Sequence, residues 1–229
     1  MFDVNNKNIL ITGATSGIGR ESALALAKMG ANITFIARNK LKAENLLTDI
    51  NKISNGQNSF IIADLSSQED IKIASEKYID KNISLDVLLN NAGLINFKRN
   101  ETIDGFEETF AINHLAYFSL TNLLLDKIKE SNSARIVNVS SAAHQFVKRM
   151  NFNDIHSKKS YKPFQVYGYT KLANILFTKK LSSILESEKI TVNSLHPGVV
   201  GTSFGQNNSN NLNKVLSFIA KPFMRTSEK

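Results

Sequence analysis

A tyrosine and a lysine four residues apart offer acid–base chemistry. Tyr167 and Lys171 lie in a predicted helix, where residues four positions apart share one face. An ammonium beside a phenol favours the phenolate and lowers the phenol pKa from about 10, so the pair could exchange protons near neutral pH. Such a pair also arises by chance on a helix surface, and the spacing alone leaves both interpretations open.

Three glycines form a second candidate site between a strand and a helix. Gly13, Gly17 and Gly19 follow the apolar run Asn8–Ile11 and precede helical sequence that starts at Arg20. Glycine lets a backbone approach a ligand closely, and a helix N-terminus attracts phosphate. The pattern therefore predicts a cradle for a dinucleotide pyrophosphate, with an ordinary glycine turn as the alternative.

Polar residues follow two further predicted strands, at the edge where open α/β sheets bind ligands. Ser140 and Ser141 end the fifth strand, and Asn90 and Asn91 end the fourth. A serine hydroxyl there could hydrogen-bond a substrate carbonyl, or it could only cap the next turn. Asn113 lies inside a long helical pattern, where a buried amide needs a polar partner.

Strand and helix patterns alternate along the chain. The predicted strands are Asn8–Ile11, Asn32–Ala37, Asn58–Ala63, Leu85–Asn90, Arg135–Ser140 and Ile190–Leu195. The predicted helices are Arg20–Ala27, Lys40–Ile53, Gln68–Ile79, Gly105–Lys129 and Phe164–Glu186, followed by a polar loop at 206–213 and a helix start at 215–218. Repeated βα units predict an α/β fold with a single doubly wound parallel sheet of about six strands, of Rossmann type.

Composition narrows the class of protein. The 229 residues suffice for one domain spanning 1–229, and the absence of cysteine excludes disulfides, thiolate metal sites and a cysteine nucleophile. The four histidines show no metal-ligand spacing, so we expect no metal. Neither a secretory signal nor a run of about 18 apolar residues is visible, so we expect no membrane span and a cytoplasmic location.

The formal net charge of +8 raises the question of nucleic-acid binding. The lysines are dispersed and mixed with acids, as in the stretch 40–44. We therefore expect no nucleic-acid partner, although a basic nucleic-acid binder stays an alternative. A general attraction for anionic ligands is the milder consequence of this charge.

Taken together, the motifs resemble the short-chain dehydrogenase/reductase family, in the order in which that family carries them. They are Thr12–Gly19, Asn90–Gly93, Asn113, Ser141, Tyr167-x-x-x-Lys171 and Pro197–Thr202. The runs Arg135–His144 and Thr170–Asn174 are similar to its retinol-dehydrogenase-like branch.

The resemblance implies a role for each catalytic residue. Tyr167 is the general acid/base, and Lys171 lowers its pKa and holds the nicotinamide ribose. Ser141 orients the carbonyl; it is preferred to Ser140 because the family's serine matches the second of the pair. Asn113 anchors a water in a proton relay through Lys171.

The resemblance also implies a cofactor site. Its residues are Gly13, Thr15, Ser16, Gly17, Ile18, Gly19, Arg38, Asp64, Leu65, Asn91, Ala92, Gly93, Tyr167, Lys171, Pro197, Gly198, Val200 and Thr202. The second strand ends in Ala37-Arg38-Asn39, with no acid to bind the ribose hydroxyl of NAD. Arg38 suits the 2′-phosphate instead, so we expect NADP(H) to be preferred and NAD(H) to remain usable; a merely solvated arginine is the alternative.

The sequence thus predicts an oxidoreductase that moves a hydride between NADP(H) and a small-molecule carbonyl or alcohol. A lipophilic aldehyde, ketone or alcohol follows from the resemblance, and a homo-oligomer is an open option. The family normally continues with another helix and a seventh strand, so we expect a shortened segment at 206–229 and a missing edge strand. An NADPH-binding protein with little or no turnover is the alternative.

Overall fold

The computed structural model describes residues 2–198, which form a parallel sheet flanked by helices. Its strands are β1 (Asn8–Thr12), β2 (Asn32–Ala37), β3 (Ser59–Ile62), β4 (Val87–Asn90), β5 (Ala134–Val139) and β6 (Ile190–Leu195). They lie in the order β3-β2-β1-β4-β5-β6, and every neighbouring pair is parallel. The strand order reverses between β1 and β4, which opens a crevice at their carboxyl ends. The predicted doubly wound α/β fold is confirmed.

The helices occupy most of the predicted ranges, with ends that differ by a few residues. They are α1 (Gly17–Lys28), α2 (Lys40–Asn51), α3 (Gln68–Ile79), α4 (Glu108–Phe110), α5 (Ala116–Leu123), α6 (Leu125–Lys129) and α7 (Pro163–Ile184). A π-helical turn (Ala111–Leu115) joins α4 to α5, and 3₁₀ turns lie at Ala142–Phe146 and Phe152–Asp154. Polar side chains cap α2 and α3: the Asn39 side-chain oxygen accepts from Lys42 N–H at the start of α2, and the Ser67 hydroxyl accepts from Asp70 N–H at the start of α3.

The prediction of one uninterrupted helix over Gly105–Lys129 is wrong. The Glu107 carboxylate caps the first turn by accepting from the N–H groups of Thr109 and Phe110, so the helix begins after it. The π-helical turn then widens the helix around Asn113, and a break at Leu124 separates α5 from α6. Apolar periodicity shows which face is buried, but it does not show where the hydrogen-bond spacing changes.

Side chains alternate between the two faces of the sheet and build one apolar layer on each. Ile9 and Ile11 of β1 pack with α1 and α2, whereas Leu10 packs with α3, α5 and α7. Because both faces are covered, the strands are apolar throughout, as buried parallel strands are. This rigid sheet fixes the positions of its carboxyl ends, where the predicted site residues gather.

Within residues 2–198, none of the helices is long and apolar enough to cross a membrane. No group of three or more acidic or histidine side chains there could hold a metal ion. The predicted loop at 206–213, the predicted helix start at 215–218 and any further edge strand lie outside the described residues.

Candidate active site

The glycine turn after β1 is shaped by the space that its glycines leave free. Gly13 and Gly17 have φ angles of 68° and 53°, in the left-handed region that favours glycine. A Cβ on Gly13 would lie 2.7 Å from the Ala92 Cα atom, and a Cβ on Gly19 would collide with the Gly13 carbonyl. The turn therefore packs directly against the loop after β4, and a side chain at either position would displace it.

The first backbone N–H groups of helix α1 lie beside this turn, and no side chain of the N-cap residue caps them. Ser16 is the N-terminal cap, with an extended φ of −158° and no side-chain capping hydrogen bond. Thr15 and Ile18 are half-buried, and Ser16 is exposed. Uncapped N–H groups at a helix start suit an anionic group such as a pyrophosphate, so the residues fit the predicted cofactor.

Asn91 and Thr12 hold the glycine turn to the end of β4. The Asn91 side-chain amide donates to the carbonyls of Thr12 (3.0 Å) and Gly13 (3.2 Å). In return, the Thr12 hydroxyl accepts from the backbone N–H groups of Asn91 (2.9 Å) and Ala92 (3.0 Å). These bonds cross the point where the strand order reverses, and they fix the crevice in which a dinucleotide would lie.

Gly93 connects the glycine turn with the acid–base residues. A Cβ at this position would lie 3.3 Å from the Asn113 side-chain oxygen and 3.6 Å from Lys171 Nζ. The structure therefore brings the loop after β4, the π-helical turn and α7 into one place. A bare backbone at Gly93 leaves room for a ligand to pass between them.

Asn113 lies in the π-helical turn with its side chain fully buried. Its side-chain oxygen accepts from Leu94 N–H (2.8 Å), and its amide donates to the Leu94 carbonyl (2.8 Å) and the Thr170 hydroxyl (3.2 Å). The expected polar partner of this buried amide is thus the loop after β4. Its backbone carbonyl accepts a further hydrogen bond from Asn174 on α7 (2.9 Å).

The two serines after β5 point to different partners. The Ser140 hydroxyl is buried and donates to the Lys171 carbonyl (2.8 Å), which ties β5 to α7. The Ser141 hydroxyl caps the following 3₁₀ turn by accepting from Ala143 N–H (3.2 Å), and it hydrogen-bonds Tyr167. Ser141 therefore caps this turn and also faces the tyrosine, while its hydrogen bond to a substrate carbonyl stays a prediction.

Helix α7 lies close to this turn because of a glycine. A Cβ on Gly168 would lie 2.7 Å from the Ala143 carbonyl oxygen. The close approach brings Tyr167, the preceding residue, against Ser141. Gly168 is therefore required for the Ser141–Tyr167 contact, and no sequence pattern predicted this role.

Lys171 is a buried cation that faces carbonyl and aromatic groups. Its side chain is 3% exposed, and its Nζ donates to the Val139 carbonyl at 3.0 Å. The nitrogen lies 5.4 Å from the centroid of the Tyr167 ring and 5.8 Å from that of Tyr117. Burial penalises the ammonium and lowers the pKa of Lys171 to about 7.

The expected lowering of the Tyr167 pKa is wrong. Burial raises the pKa of Tyr167 to about 12, and the hydrogen bond with Ser141 acts in the opposite direction. The phenolate loses its hydration in this site, and the same burial removes much of the charge from Lys171. Near neutral pH the tyrosine is therefore a phenol with a proton to give.

A different environment surrounds Arg38, at the end of β2. Its side chain is 64% exposed, and its guanidinium lies 3.6 Å from the Asp64 carboxylate, which follows β3. Leu65, the residue after Asp64, packs against the apolar layer that contains Leu10. The guanidinium can turn towards a ligand phosphate, although Asp64 competes for it.

The loop after β6 contributes the last predicted residues. Gly198 has a φ of 83°, and its N–H donates to His196 Nδ1 at 3.1 Å, while Pro197 lies between them. Val200 and Thr202 lie outside the described residues. Pro197 and Gly198 follow β6 and so belong to the same sheet edge as Ser140 and Asn90.

Besides Gly168, two further residues of the site were not predicted from the sequence. Asn174 is fully buried one turn after Lys171, and Tyr117 on α5 donates to the Ala92 carbonyl at 2.8 Å. An asparagine in the apolar stripe of α7 is the signal that could have identified the first. No local pattern marks Tyr117, because its partner lies 25 residues away.

Comparison with known proteins adds independent evidence. A family model described as short chain dehydrogenase matches residues 7–213. The chain is 39% identical to retinol dehydrogenase 12 of Mus musculus over 207 residues, covering 89% of this chain and 65% of that protein. It is 40% identical to retinol dehydrogenase 13 of Homo sapiens over 205 residues, covering 89% and 62%. The chain thus spans somewhat less than two thirds of these relatives.

Solved structures show the same architecture. The Pseudomonas aeruginosa RhlG/NADP active-site complex superposes with a TM-score of 0.71 at 26% identity, covering 88% of this chain and 77% of that chain. The residues that the family model matches include the glycine turn, Ser141, Tyr167 and Lys171. On this evidence the chain belongs to the short-chain dehydrogenase family, and it is similar to the family's retinol dehydrogenases.

Proposed function

We propose that this chain is an NADP(H)-dependent oxidoreductase that interconverts an alcohol and an aldehyde or ketone. One observation carries the proposal: Ser141, Tyr167 and Lys171 converge beside Gly93, at the crevice that the glycine turn opens. A proton donor, a hydroxyl that can hold a carbonyl oxygen and a cradle for a dinucleotide are thus in one place. The retinol dehydrogenases named above support the same class of reaction.

The glycine turn, the start of α1 and the loop after β4 would hold the cofactor. Gly13 and Gly19 leave the backbone exposed to a pyrophosphate, and Gly93 opens the path towards Lys171. When bound, the nicotinamide supplies or accepts the hydride. Every other step falls to residues of this chain.

Tyr167 would act as the general acid in reduction and as the general base in oxidation. Its raised pKa keeps the phenol protonated at neutral pH, so it can donate to a carbonyl oxygen as negative charge develops there. Ser141 would hold the same oxygen by a hydrogen bond, since its hydroxyl already faces the phenol. Lys171 would stabilise the phenolate that remains, and Asn113 would hold the loop that carries Leu94.

The preference for NADP(H) over NAD(H) rests on Arg38. The exposed guanidinium at the end of β2 offers a bidentate fork to a 2′-phosphate, and the acid that would favour NAD is absent from that strand end. The Pseudomonas structure named above contains NADP, which supports the proposal. NAD(H) stays usable, because the pyrophosphate cradle is common to both dinucleotides.

A lipophilic substrate fits the aromatic side chains beside Tyr167. Phe164 lies three residues before Tyr167 on α7, packs edge-on against Phe97 (6.1 Å between centroids) and is 47% exposed. Phe146 is 63% exposed, and its Cβ atom lies 3.6 Å from the position of a Cβ on Gly168. Exposed phenylalanines beside a proton donor favour an apolar substrate over a sugar or a hydroxy acid.

The test is oxidation of NADPH and NADH with a panel of aldehydes and ketones that runs from short and polar to long and apolar. The proposal expects turnover, better use of NADPH and a preference for apolar carbonyls. Calorimetric binding of NADPH without any turnover would instead favour the second candidate, a cofactor-binding protein with little or no catalysis. The observation that favours this second candidate is the crevice at the carboxyl ends of β1 and β4, which could bind a dinucleotide without catalysing a reaction.

The remaining expectations are proposals with tests of their own. Cell fractionation tests the cytoplasmic location, and light scattering tests for a homo-oligomer. A salt-dependent shift assay tests the absence of nucleic-acid binding.

A further inference from the structure

Asn174 joins two backbone carbonyls, one of which accepts a hydrogen bond from Lys171. Its side-chain amide donates to the Asn113 carbonyl at 2.9 Å and, at a longer 3.4 Å, to the Val139 carbonyl. The Val139 carbonyl is the acceptor that holds Lys171 Nζ at 3.0 Å. One fully buried amide therefore contacts the π-helical turn and the last carbonyl of β5, which is also the acceptor of the buried lysine.

His114 fixes the orientation of this amide. Since the Asn174 nitrogen donates to two carbonyls, its side-chain oxygen is left to accept, and it lies 2.9 Å from His114 Nδ1. His114 Nδ1 must then carry a proton and donate. Burial lowers the pKa of His114 and keeps the ring neutral; the hydrogen bond with Asn174 acts in the opposite direction, and the nearby Lys171 adds a smaller lowering.

We propose that Asn174, held by His114, is a positioning residue that sets the place and the protonation of Lys171. The amide fixes the Val139 carbonyl on which the ammonium lies, and it occupies one of the two acceptor positions on the Asn113 carbonyl. A rotated amide would present its oxygen to both carbonyls and repel them, so the hydrogen bond from His114 excludes that alternative.

Charge at position 174 should act directly on the lysine. Both side chains contact the same carbonyl, so a carboxylate there would lie within several ångströms of Lys171 Nζ. The titratable groups that face Lys171 in the described structure are Tyr167 on its own helix, Tyr117 on α5 and His114 in the π-helical turn. None of these is a carboxylate, so Asn174→Asp introduces an opposite charge that the site lacks.

The experiment compares Asn174→Asp and Asn174→Ala with wild type, and it rests on the proposed function for its turnover arm. We expect Asn174→Ala to lower kcat by roughly tenfold to a hundredfold, the scale of a misplaced catalytic group. We expect Asn174→Asp to move the Lys171 midpoint in the pH profile of kcat upwards by about 1–3 pH units, because the carboxylate favours the ammonium. Lys171→Met, which lacks turnover, identifies the lysine midpoint by its loss from the pH dependence of NADPH affinity, measured by calorimetry.

A second readout does not need turnover. The pH dependence of NADPH affinity, measured by calorimetry, should carry the same Lys171 midpoint and the same upward shift in Asn174→Asp. Wild-type protein that binds NADPH but reduces no carbonyl would defeat the proposed function and leave this arm intact. An unchanged midpoint in folded Asn174→Asp would overturn the positioning role.

Asn138 provides the matched control. It is a fully buried asparagine whose amide donates to Thr178 (2.9 Å) and whose oxygen accepts from Asn90 (2.9 Å), and neither of these hydrogen bonds involves Lys171 or Asn113. Asn138→Ala should lower stability without moving the pH midpoint. Equal shifts in both asparagine variants would mean a general structural effect and would overturn the proposal.

Variants of His114 test the same proposal if the variants of Asn174 fold poorly. His114→Gln keeps a side-chain N–H donor for the Asn174 oxygen, whereas His114→Leu removes it. We expect Gln to keep most of the kcat and Leu to lose it, with unchanged KM for the carbonyl substrate. Equal activity in these two variants would exclude the orienting role of His114.

Discussion

The two ends of the proposed cofactor crevice each carry a basic side chain, and the two side chains differ in their exposure and in their partners. Arg38, at the tip of β2, is 64% exposed and lies 3.6 Å from the Asp64 carboxylate. Lys171, on α7, is 3% exposed and donates to the carbonyl of Val139 rather than to a carboxylate. Burial lowers the pKa of the lysine to about 7.

This difference suits the two ends to different tasks. The exposed arginine would select between cofactors, and the buried lysine would take part in proton transfer. An exposed charge stays fully ionised, is screened by salt and changes binding by modest amounts. A buried amine loses its hydration, so its protonation responds to small changes nearby and can serve proton transfer. The predictions below test this contrast from its largest expected effect to its smallest.

Tyr167→Phe should produce the largest loss at the buried end. The change keeps the ring and removes only the hydroxyl that donates the proton, so turnover should fall by about 10²–10⁴-fold while NADPH binding persists. Steady-state kinetics and calorimetry on the same preparation measure the two effects.

Tyr169→Phe is the control for that change. Tyr169 is also half-buried on α7, but two residues along a helix it faces away from Tyr167. Near-normal turnover in Tyr167→Phe would refute the acid–base role, and loss of turnover in Tyr169→Phe alone would transfer it to the neighbouring ring.

Lys171→Met should stabilise the protein near neutral pH while it destroys turnover. Because the lysine pKa is about 7 when folded and 10.5 ordinarily, the folded state binds fewer protons than the unfolded state between those values. The free energy of unfolding of wild type should therefore rise with pH from 7, by at most about 1.4 kcal/mol per pH unit. The penalty of burying the lysine is largest below pH 7.

Urea unfolding at pH 7, 8 and 9 measures this linkage. Lys171→Met should remove most of the rise and should be more stable than wild type at pH 7, with the gap closing towards pH 9. Identical slopes in the two proteins would show that Lys171 keeps an ordinary pKa when buried. The claim that burial makes Lys171 different from Arg38 would then be wrong.

Gly19→Ala should disturb the cradle that serves both ends. The new methyl group would meet the Gly13 carbonyl and lie 2.5 Å from the Asn91 side-chain nitrogen, so the turn must shift. We expect NADPH affinity to fall by about 1–3 kcal/mol, the usual scale of overpacking. Ala23→Gly, a change within α1 away from the turn, controls for altered helix stability.

Sequence patterns predicted the strands and the rim residues because both are local. The apolar, β-branched runs gave β2 and β6 their observed bounds, and the glycines marked the first turn. The partners of buried polar groups could not be predicted in this way. Asn174 meets Asn113 across 61 residues, and Lys171 meets Val139 across 32, so only the folded chain shows that they share acceptors.

The same reasoning explains the one error about electrostatics. Spacing on a helix correctly placed Tyr167 and Lys171 on one side of α7, and proximity then predicted a lowered tyrosine pKa. The distance between two residues on a helix does not show how well they are hydrated. Here the loss of hydration on burial dominates and raises the pKa of Tyr167 to about 12. The four-residue spacing is therefore evidence for a pair, while its protonation follows from the depth of the site.

Arg38→Ala should produce the smallest effect, confined to one cofactor. Loss of the guanidinium should weaken NADPH by about 1–2 kcal/mol and leave NADH nearly unchanged, because only the former carries the 2′-phosphate. Equal losses for both cofactors would mean that Arg38 has a structural role only. Salt sharpens the comparison further, since the Debye length falls from about 10 Å at 0.1 M to about 3 Å at 1 M. The wild-type preference for NADPH should shrink over that range, whereas the pH midpoint of the buried Lys171 should stay in place; a midpoint that moves with salt would mean that both cations are solvated and that the contrast between the two ends is unfounded.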